Sequence, residues 1–319
     1  MPPEVGAGAL GEGSVERRRL PGIGAGGRQC YPPPVLRRLA LLAMAAALSL
    51  PACRLASKDA GGGERPAPGT KRGVAYDLTS QADADALGPQ VSWYYNWSTH
   101  PGAALTGAEF VPMVWGKIAA ADVPAIEAAI PAGAKYLLGF NEPNFKTGQA
   151  NLSPAEAADL WPLLEKIADD RGLLLVAPAV NYCGGACWET DPVAWLDAFF
   201  AACAARGGCR VDHVAVHAYV CYGGALGWYL DRFQKYGKPL WLTEFSCADE
   251  ASRKGSTKGQ ADYMAEAVPL LEGRADVFRY AWFIGRSDPV DPAWPVDLLG
   301  ADGKLTWLGQ AYVGFPGTP

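Results

Sequence analysis

From Gly73 onward, short apolar runs alternate with amphipathic stretches in the βαβα order that marks a parallel sheet wrapped by helices. The pattern predicts strands over residues 73–76, 91–95, 110–115, 136–140, 173–179, 213–219, 239–244 and 277–283. Helical patterns lie between them. In the stretch 153–170, Ser153 is a good N-cap, Pro154 fits the first turn and Glu156 completes a capping box. The stretch 191–205 opens on Asp191-Pro192, and 259–271 predicts a further helix. Gly172, Gly207 and Gly237 fall after helices, where a left-handed cap is easiest for glycine. Eight β/α units in about 240 residues predict a compact, single-domain α/β fold, a (β/α)8 TIM barrel. Its first two connections read as short and poorly helical. An open doubly wound sheet is the alternative, but no glycine-rich phosphate loop follows the first strand.

The first 72 residues differ in kind, being rich in Gly, Pro and Arg apart from one apolar block over 39–50. That block follows Arg37-Arg38 and is too short for a bilayer span of roughly 20 residues, but it suits the apolar core of an export signal. Leu50-Pro51-Ala52-Cys53 then resembles a bacterial lipobox, with proline an uncommon choice at its middle position. Ordinary cleavage near Ala52 is the alternative. Residues 1–53 are therefore expected to be an export signal whose useful part begins near Val35, which puts the natural start later than Met1. Residues 54–72, with Gly61-Gly62-Gly63, read as a flexible tether, and 73–319 as the folded domain. The expected location is extracytoplasmic, either lipid-anchored at Cys53 to a bacterial membrane or secreted.

Charge and cysteine usage agree with export. The first 52 residues hold six Arg and three acids, which leaves 22 basic against 30 acidic residues, a net charge of −8, for the exported part. That balance argues against nucleic acid or an anionic polymer as partner. Besides Cys30 and Cys53, six cysteines remain. Short loops favour Cys183 with Cys187 and Cys203 with Cys209, leaving Cys221 and Cys247 just beyond consecutive predicted strands, where a disulfide would staple neighbouring loops. No Cys-x-x-Cys pair exists to suggest zinc.

Two predicted strands end on glutamates: Leu137-Leu138-Gly139-Phe140-Asn141-Glu142 and Leu240-Trp241-Leu242-Thr243-Glu244. Carboxylates at the carboxyl ends of parallel strands stand where such sheets put their chemistry. Taken singly, each reads as a strand-end cap. Together they read as the pair that glycosidic cleavage needs, one acid for the leaving oxygen and one carboxylate for the oxocarbenium-like carbon. Pro143 biases Glu142 toward an extended backbone. Glu142 is the better general acid where burial or a negative neighbour keeps it protonated, and Asn141 beside it can donate to a sugar hydroxyl. Glu244 would be held ionised by hydrogen bonds, with Tyr219 as a donor.

In the sixth strand, Val214, Val216 and Ala218 make one apolar face, while His213, Ala215, His217 and Tyr219 make the other. That second face would line the lumen, with His217 and Tyr219 near the catalytic rim and His213 toward the structural end. The His-x-x-x-His spacing invites a metal reading, but metal pairs at that spacing usually ride on helices and no third ligand is evident. No metal or cofactor is expected. Aromatic residues gather at the same rim: Trp93 to Trp97 with Asn96 among them, Trp115 and Trp282. Their faces suit the apolar C–H faces of sugars.

Phe110-Val111-Pro112-Met113-Val114-Trp115-Gly116, Leu138-Gly139-Phe140-Asn141-Glu142-Pro143, Val216-His217-Ala218-Tyr219 and Trp241-Leu242-Thr243-Glu244-Phe245, in this order, resemble glycoside hydrolase family 128. The likeness spans Gly73 to about Phe315. It implies a small TIM-barrel endo-β-1,3-glucanase acting with retention, with Glu142 as acid/base, Glu244 as nucleophile, and Asn141, His217, Tyr219 and Trp282 around the reacting sugar. Ala218 departs from the bulky aromatic that many relatives carry there, which bears on cleft shape. The expected partner is a β-glucan, and the expected assembly a monomer. A non-catalytic glucan-capturing lipoprotein and a hydrolase of another β-linked polysaccharide are the alternatives.

Overall fold

The computed structural model describes residues 71–316. The segment expected to be an export signal, with Cys53, and nearly all of the expected tether lie outside the described residues. Strands and helices alternate: β1 (Arg72–Ala75), α1 (Gln81–Leu87), β2 (Trp93–Tyr95), β3 (Glu109–Phe110), α2 (Val123–Ala129), β4 (Tyr136–Leu138), α3 (Pro154–Arg171), β5 (Leu174–Val176), α4 (Pro192–Ala205), β6 (Val214–Ala218), α5 (Gly223–Asp231), α6 (Ala251–Lys254) and β7 (Leu240–Phe245) before it, then α7 (Thr257–Gly273), β8 (Val277–Trp282) and α8 (Trp307–Gly314). All eight predicted strands are present, and no helix joins β2 to β3. The strands form a six-stranded ladder in the order β3-β2-β1-β8-β7-β6 and a two-stranded ladder β4-β5, and each of these neighbouring pairs is parallel. Isolated parallel bridges join Met113 to Leu138, Val176 to His213 and Val180 to Val216.

Local signals act as the sequence implies. Ser153 caps α3 by accepting from the Glu156 amide while Glu156 accepts from the Ser153 amide, and Gly172 ends the helix at φ 65°. Cys183–Cys187, Cys203–Cys209 and Cys221–Cys247 are all disulfide-bonded.

The strands bury two distinct faces. On one, Val214, Val216 and Ala218 join the large apolar cluster packed with the helices. On the other, Ala75, Trp93, Tyr95, Met113, Tyr136, Ala215, Trp241 and Phe278 form a second, aromatic-rich cluster. The amino-terminal part of that face is filled. Trp93 donates to the Lys71 carbonyl at 2.9 Å, and a Cβ on Gly73 would stand 2.4 Å from its indole, so only glycine lets β1 pass this ring. The buried Arg279 guanidinium lies 4.9 Å from the Tyr136 ring and 5.0 Å from the Trp241 ring and pairs with Glu109 at 2.6 Å. Trp241 donates to Nδ1 of His213 at 3.0 Å, and burial lowers the His213 pKa to about 4, so this imidazole is a neutral acceptor at neutral pH. The filled end leaves the carboxyl ends of the strands to carry chemistry.

Candidate active site

Glu142 and Glu244 converge at the carboxyl ends of β4 and β7, each 5% exposed. A carboxylate oxygen of each and a ring nitrogen of His217 all lie within 4.8 Å of one another. Nδ1 of His217 is 2.8 Å from Oε1 of Glu142 and 3.3 Å from Oε2 of Glu244. The strand register explains the meeting, because His217 on β6 pairs with Glu244 on β7 just past an irregularity at Val216/His217.

The two carboxylates have different surroundings. Oε1 of Glu244 accepts from the Tyr95 hydroxyl at 2.9 Å and from the Trp97 indole N–H at 2.9 Å, while Oε2 accepts from the Tyr219 hydroxyl. Burial first, then the Glu244 charge, raises the Tyr95 and Tyr219 pKa values well above the ordinary phenol value, so both stay protonated donors. Glu142 instead takes one amide donor, Nδ2 of Asn181 at 3.0 Å, on the oxygen that faces His217. A carboxylate ringed by fixed donors is suited to bear charge, and one with fewer is freer to pass a proton.

The backbone at Glu142 is not extended, as the following proline implied. Its φ is +40°, an uncommon region for a residue with a Cβ. The Glu142 amide donates to the Ala179 carbonyl at 2.8 Å and its carbonyl accepts from the Phe145 amide at 3.1 Å, so a turn held at both ends overrides the local bias.

The expected site residues do not all gather here. His217, Tyr219 and both glutamates do. Asn141 is buried beside Glu142, where its Nδ2 donates to Gln149 at 2.9 Å and its Oδ1 has no partner among the described residues. Trp115 is partly buried against the aromatic-rich cluster. Asn96 braces its own loop, donating to Asp77 at 2.9 Å and to the His100 carbonyl at 3.0 Å. Trp93 stands at the filled end, not at the rim, because it is two residues short of Tyr95 on the same face of β2. Trp282 is likewise displaced from its expected place. It is fully buried on the helix-facing side against Phe245, and its N–H donates to the Val296 carbonyl at 2.8 Å. Alternation puts its successor on the site side: Phe283 lies 5.8 Å from the Tyr219 ring, 6.0 Å from Trp97 and stacks at 5.5 Å on Trp294.

Among the described residues, Glu142, His217 and Glu244 are also the group with the spacing of metal ligands. Their donor environment fits that role poorly, since Tyr95, Trp97, Tyr219 and Asn181 already turn N–H and O–H groups onto the carboxylates.

Residues 73–312 match the sequence model of the glycosyl hydrolase catalytic core. The crystal structure of a family 128 subgroup II endo-β-1,3-glucanase from Sorangium cellulosum is 47% identical, covering 78% of this chain and 98% of that one, with a TM-score of 0.68. The chain belongs to glycoside hydrolase family 128. Two further members of family 128 are informative. A subgroup I endo-β-1,3-glucanase from Amycolatopsis mediterranei, solved with laminaritriose, is 36% identical over 76% of this chain and 98% of its own, with a TM-score of 0.63. A subgroup III curdlan-specific exo-β-1,3-glucanase from Blastomyces gilchristii, solved with glucose, is 33% identical over 78% of this chain and 100% of its own, with a TM-score of 0.62. Alkali-sensitive linkage protein 1 of Schizosaccharomyces pombe is 26% identical over 254 residues, 77% of this chain, so the chain spans 43% of the length of that curated relative. As a member of family 128, the protein is a glycoside hydrolase.

Proposed function

We propose that this family 128 member cleaves internal β-1,3-glucosidic bonds of a β-glucan with retention of anomeric configuration. Glu142 protonates the departing glycosidic oxygen while Glu244 attacks the anomeric carbon. Glu142 then removes a proton from water, which displaces Glu244 and releases the sugar. One observation carries the reading: carboxylate oxygens from β4 and β7 lie within 4.8 Å of each other around a shared imidazole. Retaining pairs stand about 5–5.5 Å apart, against roughly 6.5–9.5 Å where a water must fit between carboxylate and sugar. The laminaritriose complex of the Amycolatopsis enzyme supports the linkage, and the 47% identity to a subgroup II endo-enzyme supports internal cleavage.

The site fits a (β/α)8 barrel. The bridge from Met113 to Leu138 and those from Val176 and Val180 to β6 and its approach fall where the two ladders would join into one closed sheet. The three disulfides suit an oxidising compartment and agree with export through the signal ending at Cys53, lipidated or cleaved. The test is release of reducing ends from laminarin by the wild type and by Glu142→Ala and Glu244→Ala. Activity should fall by orders of magnitude in each variant, and wild-type-like turnover in either rejects its role.

A further inference from the structure

We infer that Tyr182 and Trp228, with the Arg232 guanidinium between them, form a binding platform for the leaving portion of the glucan chain. The inference rests on the proposed hydrolytic reading and extends it to a surface outside the catalytic cluster. Tyr182 is 41% and Trp228 60% exposed, unusual for such large rings. Both are held in place. The Arg232 guanidinium carbon lies 5.3 Å from the Trp228 ring centre and 5.9 Å from that of Tyr182. Arg232 also donates to the Tyr182 hydroxyl and, at 2.6 Å, to Asp191, the residue that caps α4. A guanidinium has five N–H donors, so these two bonds leave others for a ligand. Aromatic faces with a cation between them match a neutral sugar chain, whose C–H faces stack and whose hydroxyls accept.

The platform is joined through the chain to the acid side of the site. Tyr182 directly follows Asn181, whose amide holds Oε1 of Glu142. Beneath it, 5.3 Å from the Tyr182 ring, lies Tyr229, whose buried hydroxyl has no partner among the described residues and feels the Glu142 charge. Around Glu244 the aromatics are of another kind: Trp97, Phe283, Trp294 and Tyr219 pack edge and face against one another. Glu142 protonates the oxygen that departs with the leaving chain, so the inference places that chain on the Asn181 side of Glu142, where the next residue is Tyr182.

The test measures laminarihexaose affinity by calorimetry in the catalytically silenced Glu142→Gln protein. Adding Trp228→Ala should weaken binding about tenfold, with Tyr182→Ala in the same direction and Trp228→Phe recovering most of the loss. Adding Trp307→Ala, which removes an exposed tryptophan elsewhere, should change nothing. Unchanged affinity in both the Trp228→Ala and Tyr182→Ala proteins overturns the platform, whatever the wild type does to laminarin. If the wild type releases no sugar while Trp228→Ala still weakens binding, the hydrolytic reading falls and the platform stands as a glucan-binding surface.

Discussion

Nδ1 of His217 stands 2.8 Å from Oε1 of Glu142, and the same nitrogen reaches Glu244 at 3.3 Å. One buried imidazole thus serves both carboxylates. Burial opposes a charge on His217, but the Glu244 charge, the Glu142 hydrogen bond and the Glu142 charge together outweigh it and raise the pKa above the ordinary value.

That direction predicts a pH-dependent stability. With the folded pKa above the unfolded value of about 6.5, the contribution of His217 is full below pH ~6.5 and is lost as pH rises through the folded pKa. The gap in thermal midpoint between wild type and His217→Asn should therefore be widest at mildly acid pH and narrow on going alkaline. A gap that is constant or widens with pH contradicts the assignment.

Tyr219 and Tyr95 each donate to Glu244 and remain protonated across the working pH range. Hydrogen bonds to a charged group contribute about 1.5–3 kcal/mol, so Tyr219→Phe and Tyr95→Phe should each lower kcat by roughly 10- to 150-fold. Circular dichroism should show the fold intact. Full activity in Tyr219→Phe would mean that its hydroxyl does nothing for the reacting carboxylate.

Neighbouring aromatics on β8 should separate stability from binding. Trp282 is fully buried among Phe245, Tyr263 and Tyr312, so Trp282→Ala should cost about 3–5 kcal/mol in denaturant unfolding. Phe283 is partly exposed beside Tyr219 and Trp294, so Phe283→Ala should cost less stability and raise KM for laminarin. The reverse pattern would put Trp282, not Phe283, against the sugar.

Cys221–Cys247 closes a separation of 26 residues and ties the ends of β6 and β7, where the Ala248 and Asp249 amides also donate to the Tyr219 carbonyl. Chain-entropy arguments give such a loop about 3.5 kcal/mol. The Cys221→Ser/Cys247→Ser protein should unfold at lower denaturant and turn over more slowly, because Tyr219 loses its anchor. An unchanged unfolding midpoint would show that the staple is energetically idle.

Much of this arrangement is legible in the chain because its signals are local. The Ser153 capping box, the alternation through β6 and the pairing of close cysteines each depend on a few residues, and each holds in the fold. The difficulty comes where a position along a strand decides the outcome. Trp93 and Tyr95 share a face of β2, yet only the second is far enough along to reach Glu244. The alternation that places His217 in the site also selects Tyr95 over Tyr94 and Phe283 over Trp282, whereas residue type alone, a large ring suited to a sugar face, points to Trp282. Asn181 carries no such signal. It reaches Glu142 only because β5 lies beside β4, a relation of the folded sheet.

The central claim is that Glu142 and Glu244 act on opposite sides of one anomeric carbon through a covalent intermediate. Proton NMR of the first reducing ends released from laminarin, recorded before mutarotation, tests it most directly. The β-anomer should appear first, and initial accumulation of the α-anomer would contradict the account.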